Sequence, residues 1–252
     1  MITFTEVHKA YNESTVLGPV TGRIASGGMT ALIGPNGAGK STLLTIIGRL
    51  LDPTAGHITV KGNDISTTRS ADLAKLMSIL RQENHMTARL TVRDLVGFGR
   101  YPHSKGRLSP GCHAAIDSAL EFLNLTGLQE RFMDQLSGGQ RQRAYVAMVL
   151  AQDTEYILLD EPLNNLDMKH AVLMMRQLRR AANELGKTIV IVIHDINFAA
   201  AYADHIVALR GGQIAFAGEP REIMRDAVLT DVFDTGVRVH EIDGRPTAVF
   251  DL

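Results

Sequence analysis

A glycine-rich segment between a strand and a helix constrains the fold of this chain most. It fits the pattern G-x-x-x-x-G-K-[S/T] with Gly34, Pro35, Asn36, Gly37, Ala38, Gly39, Lys40, Ser41 and Thr42. Residues 30–33 predict a short apolar strand before it, and residues 43–48 predict a helix after it. These flanks favour a phosphate-binding loop over a chance glycine turn, because glycines let backbone N–H groups approach a phosphate and the helix start adds its positive dipole end. The segment therefore predicts that the chain binds a nucleoside triphosphate, with Lys40 on its phosphates and Ser41 on Mg²⁺.

Composition limits the classes of protein to which the chain can belong. Its 252 residues, of which 45% are hydrophobic, suit one large domain or a domain with an embedded subdomain. The formal charge of −1, from 26 basic and 27 acidic side chains, argues against a nucleic-acid-binding face. Cys112 is the single cysteine, which excludes an intrachain disulfide, and we expect it in a polar turn as a free thiol. No run approaches the roughly 18 apolar residues that span a bilayer, so any membrane role would act through a partner from the cytoplasmic side.

The order of predicted elements indicates an α/β protein. Residues 2–7, 16–24 and 29–33 read as antiparallel strands, whereas residues 84–152 are helical in pattern. We predict a nucleotide-binding core with a mostly parallel sheet, an antiparallel β portion near the N-terminus and an inserted helical subdomain. The core would comprise about 1–83 and 154–252, and the subdomain about 84–153. Thr91 and the pair Ser109–Pro110 are expected to begin helices within the subdomain.

A second helix start carries a serine and two glycines. It reads Leu136, Ser137, Gly138, Gly139 and Gln140 and is followed by an apolar helix. It is either simply a capped helix or a second anion-binding end. Since the chain has one phosphate loop, the second interpretation raises the question of which nucleotide this end faces.

Two carboxylates end the buried strand that begins at Tyr156. An apolar run of this kind suits a central parallel strand, at whose carboxyl end ligands bind. Asp160 is predicted to hold Mg²⁺ through a water molecule, and Glu161 is predicted to polarise the attacking water. A helix-capping acid pair is the alternative, which the phosphate loop upstream disfavours.

Three further residues allow a structural and a functional interpretation each. Gln82 is either an ordinary strand-end residue or an amide that reaches Mg²⁺ and the attacking water. His194 follows another buried strand and is either structural or a hydrogen-bond partner of the γ-phosphate. Tyr11, expected in a turn, either covers an edge of the core or stacks on a nucleobase. The basic segment 99–107 is either a solvated face or a docking loop.

Taken together, these motifs resemble the nucleotide-binding subunit of an ABC transporter. The phosphate loop, Gln82, residues 136–140, the strand 157–161 and His194 occur in the order of that family. The resemblance covers essentially the whole chain, residues 1–252, and its Leu-Ser-Gly-Gly-Gln signature is highly specific.

The resemblance implies a head-to-tail homodimer that binds ATP and Mg²⁺. Each subunit would close its signature, residues 137–140, over ATP held by the other subunit. Tyr11 then matches the adenine-stacking aromatic, Gln82 the loop that senses the metal and the partner, and His194 the switch histidine. By the same resemblance, the Mg²⁺ ligands are Ser41, Gln82 and Asp160, and the catalytic residues are Glu161, His194 and Lys40.

Within the family the chain resembles the importers. Residues 164–167 read Asn-Asn-Leu-Asp in place of the commoner Ser- or Thr-led form; together with residues 99–103 and 160–163 they are similar to subunits that serve iron(III)-siderophore uptake. The resemblance implies a peripheral ATPase on the cytoplasmic face of the inner membrane, an integral membrane permease and, indirectly, a periplasmic or lipoprotein substrate-binding protein.

Three alternatives remain open at this point. The same motor could serve haem or cobalamin import. A soluble ABC ATPase acting on ribosomes or DNA typically carries two cassettes or long extensions, which this chain lacks. A nucleotide-operated switch with slow turnover is disfavoured by Glu161 and His194.

Overall fold

The computed structural model describes residues 1–12, 14–82 and 88–250. Its strands, in chain order, are β1 (Ile2–Tyr11), β2 (Ser14–Ile24), β3 (Gly28–Ile33), β4 (Ala55–Val60), β5 (Asn63–Asp64), β6 (Met77–Leu80), β7 (Tyr156–Asp160), β8 (Thr188–Val192), β9 (His205–Arg210), β10 (Gln213–Gly218), β11 (Val237–Ile242) and β12 (Arg245–Phe250). Its helices are α1 (Lys40–Ile47), α2 (Ser70–Leu76), α3 (Val92–Phe98), α4 (Tyr101–Ser104), α5 (Pro110–Phe122), α6 (Gly138–Ala151), α7 (Met168–Glu184), α8 (Ile196–Tyr202), α9 (Pro220–Ile223) and α10 (Asp226–Phe233).

The chain divides into two compact units. The first unit comprises residues 1–68 and 188–252, and the second comprises residues 69–187. The expected start of the helical subdomain, residue 84, lies outside the described residues. The subdomain boundaries at 84 and 153 therefore stay a prediction.

The first unit contains an antiparallel sheet and a set of mainly parallel strands. The antiparallel sheet has the order β2-β1-β4-β5. Elsewhere in the unit, β3 pairs in parallel with both β8 and β9, so the antiparallel pairing predicted for residues 29–33 is wrong. Strand β10 pairs antiparallel with β9. All five residues of β8 are buried, as expected of a parallel strand covered on both faces. The carboxyl end of β3 leads into the glycine-rich segment. This segment therefore lies at the carboxyl-terminal end of the parallel strands.

The second unit combines a parallel strand pair with a helical cluster. Strands β6 and β7 pair in parallel, and all five residues of β7 are buried. Helices α3, α5 and α6 pack against one another. The predicted caps are confirmed: Thr91, Ser109 and Ser137 each accept a backbone hydrogen bond at the start of α3, α5 and α6.

The predicted fold class is confirmed, with local corrections. Tyr11 is the last residue of β1, paired with Ser14, and does not lie in a turn. Cys112 does not lie in a polar turn either; it lies in α5 and is buried, because the Ser109 cap begins the helix before it.

The basic segment 99–107 is not simply a solvated loop. Residues 101–104 form the short helix α4. The guanidinium of Arg100 is buried and donates from Nη1 to Ala151 O at 2.7 Å, while His103 Nε2 lies 2.9 Å from Gln152 O. Two of the basic side chains in the segment therefore satisfy carbonyl groups at the end of α6.

Among residues 1–12, 14–82 and 88–250, none of the helices has the length and the apolar content that crossing a bilayer requires.

Candidate functional site

The glycine-rich loop runs from the end of β3 to the start of α1. Gly34 has φ 137°, and a Cβ at this position would lie 2.0 Å from Leu209 O. Gly39 caps α1 in a left-handed conformation with φ 95°. Gly37 is also left-handed, with φ 76°, and a Cβ there would meet no atom within 4 Å. The loop thus needs glycine for close packing at Gly34 and for backbone conformation at the other two positions.

Lys40 is a buried cation at the first position of α1. Its exposed fraction is 4%, and Nζ donates to Gly34 O and to Pro35 O at 2.8 Å each. The ammonium group therefore contacts backbone carbonyl groups of the glycine-rich loop. Lys40 and this loop are the groups predicted to bind phosphate. Ser41 and Thr42 follow in the first helical turn and are half-buried.

Tyr11 presents an aromatic ring at the end of β1. Its exposed fraction is 51%, although apolar rings are usually covered. Lys9 Nζ lies 5.0 Å from the ring centroid and also donates to Asp52 O at 2.8 Å. The cation is therefore anchored beside the ring.

His194 lies just beyond the carboxyl end of β8. Ile193 N donates to Leu32 O at 3.2 Å, which continues the pairing of β8 with β3 to this point. The next residue, Asp195, caps α8 by accepting from Asn197 N and Phe198 N. The side chain of His194 is exposed. The strand end and the helix cap together fix the backbone on both sides of this histidine.

In the second unit, the two predicted carboxylates follow each other at the end of β7. Asp160 is the last strand residue and is 5% exposed, while Glu161 is half-buried. Glu161 has φ 48°, in the left-handed region, although residues before a proline are normally extended and Pro162 follows. Such a conformation is costly and concentrates at functional sites. It turns the chain sharply, so the two carboxylates do not continue the alternation of the strand.

Glu161 is held by two side-chain amides. Gln82 Nε2 donates to Glu161 Oε2 at 2.7 Å. Asn164 Nδ2 donates to the same oxygen, and the backbone N–H of Asn164 donates to Glu161 O at 3.2 Å. Of the predicted site residues in this unit, the structure therefore brings Gln82 and Glu161 into direct contact.

The signature segment forms the exposed start of α6. Ser137 Oγ accepts from Gln140 N at 3.3 Å, and Gln140 Oε1 accepts from Ser137 N at 3.0 Å. This reciprocal pair is a capping box, which fixes the first turn while Ser137 and Gly138 remain at the surface. The turn can thus offer helix N-terminal N–H groups to an anion.

The start of α7 packs against this signature turn. A Cβ on Gly139 would lie 2.9 Å from His170 Cγ, and one on Gly138 would lie 3.6 Å from Asn165 O. Asp167 caps α7 by accepting from His170 N at 2.8 Å, and its Oδ1 is also 2.7 Å from His170 Nδ1. The backbone hydrogen bond from His170, followed by the side-chain bond, lowers the pKa of Asp167 below its usual range.

Sequence reasoning missed two of these contacts. The Asn164 departure was visible, but its hydrogen bond to Glu161 was not predicted. Apart from the lack of a Cβ at Gly139, nothing in the sequence indicated that His170 packs on this residue. The candidate residues are otherwise distributed over both units: Tyr11, residues 34–42 and His194 belong to the first, while Gln82, residues 137–140, Asp160 and Glu161 belong to the second.

Comparison with known proteins agrees with these motifs. The model of the ABC transporter family matches residues 17–164. The petrobactin import ATP-binding protein FatE of Bacillus anthracis is 56% identical over 250 residues, which are 99% of this chain and 100% of the relative. The ferric enterobactin transport ATP-binding protein FepC of Escherichia coli (strain K12) is 40% identical over 235 residues, 92% of this chain and 86% of the relative.

Solved structures show the same fold. An inward-facing metal-chelate type ABC transporter is similar with a TM-score of 0.84 and 26% identity, over 99% of this chain and 96% of the other. A dimeric ATP-binding cassette bound to ADP and Pi is similar with a TM-score of 0.78 and 29% identity, over 88% of this chain and 99% of the other. The predicted resemblance is thereby confirmed, and this chain is an ATP-binding member of the ABC transporter family.

Proposed function

We propose that this chain is the ATP-hydrolysing subunit of an importer that takes up an iron(III)-siderophore complex through a separate membrane permease. The observation that carries the proposal is the likeness, over 99% of the chain, to an import ATP-binding protein. Two relatives are named for petrobactin import and for ferric enterobactin transport, which favours an iron carrier over haem or cobalamin as the cargo.

The glycine-rich loop would bind the triphosphate of ATP. Its backbone N–H groups, the dipole of α1 and the Lys40 ammonium all favour negative charge. Tyr11 would stack on the adenine, an interaction that gives affinity with little base selectivity. These residues belong to the first unit and provide one face of the nucleotide site.

A second copy of the chain would provide the other face. Its signature turn, residues 137–140, is exposed at Ser137 and Gly138 and would offer N–H groups at the start of α6. A head-to-tail homodimer would then hold two ATP molecules, each between the loop of one subunit and the signature of the other. The dimeric cassette to which this chain is similar supports that arrangement. Loss of the γ-phosphate removes a shared contact, so hydrolysis would let the dimer reopen.

Glu161 would accept a proton from the attacking water. The carboxylate is fixed by amide donors and lies one residue beyond the strand end, where ligands bind in α/β folds. His194 would donate a hydrogen bond to the γ-phosphate and keep the water in place. Lys40 and the partner's signature turn would stabilise the charge that develops on the transferred group.

The donor set of the site suits Mg²⁺. Ser41 offers a hydroxyl, Gln82 an amide oxygen and Asp160 a buried carboxylate, and hard oxygen ligands of this kind are those that Mg²⁺ prefers. When bound, the ion would neutralise phosphate charge as ATP is cleaved. Asp160 would be the charged ligand of the set.

Gln82 and the helical subdomain, about residues 84–153, would pass the movement to the permease. The chain would act as a peripheral subunit on the cytoplasmic face of the inner membrane. A periplasmic or lipoprotein substrate-binding protein would deliver the cargo to the permease and would not contact this chain.

Iron uptake in a strain that lacks the gene tests the proposal. The strain should regain uptake of labelled iron(III)-siderophore with the wild-type chain and not with Glu161→Gln, with variant protein levels matched by immunoblot. Parallel assays with haem and cobalamin serve as cargo controls. Recovery of haem or cobalamin uptake, without iron-siderophore uptake, would contradict the cargo assignment.

A further inference from the structure

Asn164 makes two contacts with the glutamate that follows β7. Its backbone N–H donates to Glu161 O at 3.2 Å, which closes a turn and places its side chain beside that of Glu161. Its Nδ2 then donates to Glu161 Oε2, the same oxygen that accepts from Gln82 Nε2 at 2.7 Å. The backbone turn thus presents the carboxamide of Asn164 directly to the carboxylate.

Such a contact restricts a side chain that would otherwise sample several rotamers. A glutamate has three side-chain torsions, and Glu161 is only half-buried, so packing alone does not fix it. Hydrogen bonds from amides to a carboxylate are charge-assisted and stronger than neutral ones. Gln82 lies 79 positions away in the sequence, whereas Asn164 belongs to the same turn as Glu161. Asn164 is therefore the local donor to the Glu161 carboxylate.

We propose that Asn164 is a positioning residue, whose carboxamide holds the Glu161 carboxylate in the orientation that water activation requires. The inference rests on the proposed role of Glu161 in ATP hydrolysis. A serine at position 164 would carry its donor one bond closer to the backbone and would fall short of Oε2. The asparagine therefore gives this chain a contact that the commoner serine-led form of the loop would not make.

Steady-state ATP hydrolysis by the purified full-length chain tests this role. Asn164→Ala should lower kcat about tenfold, equivalent to about 1.4 kcal/mol, and leave KM within about twofold, because the variant loses orientation of the base and no contact with ATP. Asn164→Asp has the same shape but no donor and places a second charge beside Glu161, so kcat should fall further, by about a hundredfold. Asn164→Gln restores an amide donor and should regain part of the loss.

Asn165→Asp is the matched control for the added charge. Asn165 is exposed, and its left-handed φ of 61° is one that aspartate also adopts. This variant should keep kcat within about twofold of the wild-type value. Titration with a fluorescent ATP analogue should give wild-type affinity for every variant, which establishes that each one is folded.

Combination with Glu161→Gln separates positioning from a general structural effect. If Asn164 acts through the carboxylate, Asn164→Ala should cause no further loss of turnover in the Glu161→Gln background. An equal loss in both backgrounds, or a kcat for Asn164→Ala at or above the wild-type value, would overturn the inference. Absence of turnover in the wild-type chain would instead contradict the proposed function itself.

Discussion

The ring of His170 packs on the backbone of Gly139, so closely that a Cβ on this glycine would lie 2.9 Å from His170 Cγ. Gly139 lies in the first turn of α6, which carries the signature, and His170 lies in the first turn of α7. Asp167 also holds the ring through its Oδ1, which lies 2.7 Å from His170 Nδ1. The start of α7 is thereby packed against the segment that we propose to contact the partner's ATP.

Gly139→Ala should disturb this contact. The added methyl group lies too close to the ring and must displace either His170 or the signature turn. We expect ATP affinity within about twofold of wild type and a fall of about tenfold in turnover, measured by nucleotide titration and steady-state hydrolysis.

The double variant Gly139→Ala with His170→Ala provides the control for that experiment. Removal of the ring makes room for the methyl group, so the added cost of Gly139→Ala should be smaller in this background. A cost of the same size in both backgrounds would show that the contact with His170 is not the cause.

Tyr11→Ala should weaken ATP binding without abolishing turnover. Stacking of a base on an aromatic ring contributes about 1–3 kcal/mol, so the dissociation constant for ATP should rise by roughly 5- to 150-fold. Turnover at saturating ATP should stay close to wild type. Tyr11→Phe keeps the ring and should bind ATP like the wild-type chain; if the alanine variant does so too, Tyr11 does not stack on the adenine.

Gly99→Ala should destabilise the helical cluster. A Cβ at this position would lie 2.0 Å from Met148 O, a backbone atom of α6 that has no room to move aside. Overpacking of this kind costs about 1–3 kcal/mol of the free energy of unfolding, measured by urea titration.

Gly111→Ala is the matched control for that substitution. Gly111 lies in α5, and a Cβ there would meet no atom closer than Ser109 Oγ at 3.9 Å. Alanine is the better helix former by about 0.5–1 kcal/mol, so this variant should be slightly more stable than the wild-type chain. Equal effects of the two substitutions would contradict the assigned packing of Gly99.

Asp167 should make the free energy of unfolding depend on pH in the acid range. Its hydrogen bonds with His170 lower its pKa in the folded state, so the unfolded chain binds the proton more tightly. The stabilisation is therefore fully present above about pH 4, the usual pKa of aspartate, and is lost as the pH falls through the lower folded-state pKa. Asp167→Asn keeps a good helix cap but does not titrate. Between about pH 5 and pH 3, the wild-type chain should lose more of its free energy of unfolding than this variant, and parallel losses would contradict the assignment.

Local signals in the sequence predicted much of the fold. Helix starts at Thr91, Ser109 and Ser137 were predictable, because a cap and its backbone donor lie within one turn. The buried run of β7 and the placement of Asp160 at its end followed from composition and chain direction. Helix α8, which Asp195 caps, was not predicted from the sequence.

Contacts between residues far apart in the chain were not predictable in the same way. Gln82 and Glu161 are 79 positions apart, and their hydrogen bond depends on the pairing of β6 with β7 and on the left-handed turn at Glu161. Burial of Arg100 likewise depends on the end of α6, where Ala151 O accepts a hydrogen bond from Arg100 Nη1. The residue types at the candidate site were visible in the sequence, but the partners that orient them required the tertiary structure.

The oligomeric state of Glu161→Gln in the presence of ATP and Mg²⁺ tests the central claim most directly. Without the carboxylate that we propose to activate water, the chain should still bind ATP, lose at least about a hundredfold in hydrolysis, and accumulate as a dimer in light scattering after gel filtration. Lys40→Ala, which lacks the ammonium that we propose to bind phosphate, should remain monomeric in the same experiment. A Glu161→Gln chain that binds ATP but stays monomeric, or that hydrolyses it at a near-normal rate, would contradict the account.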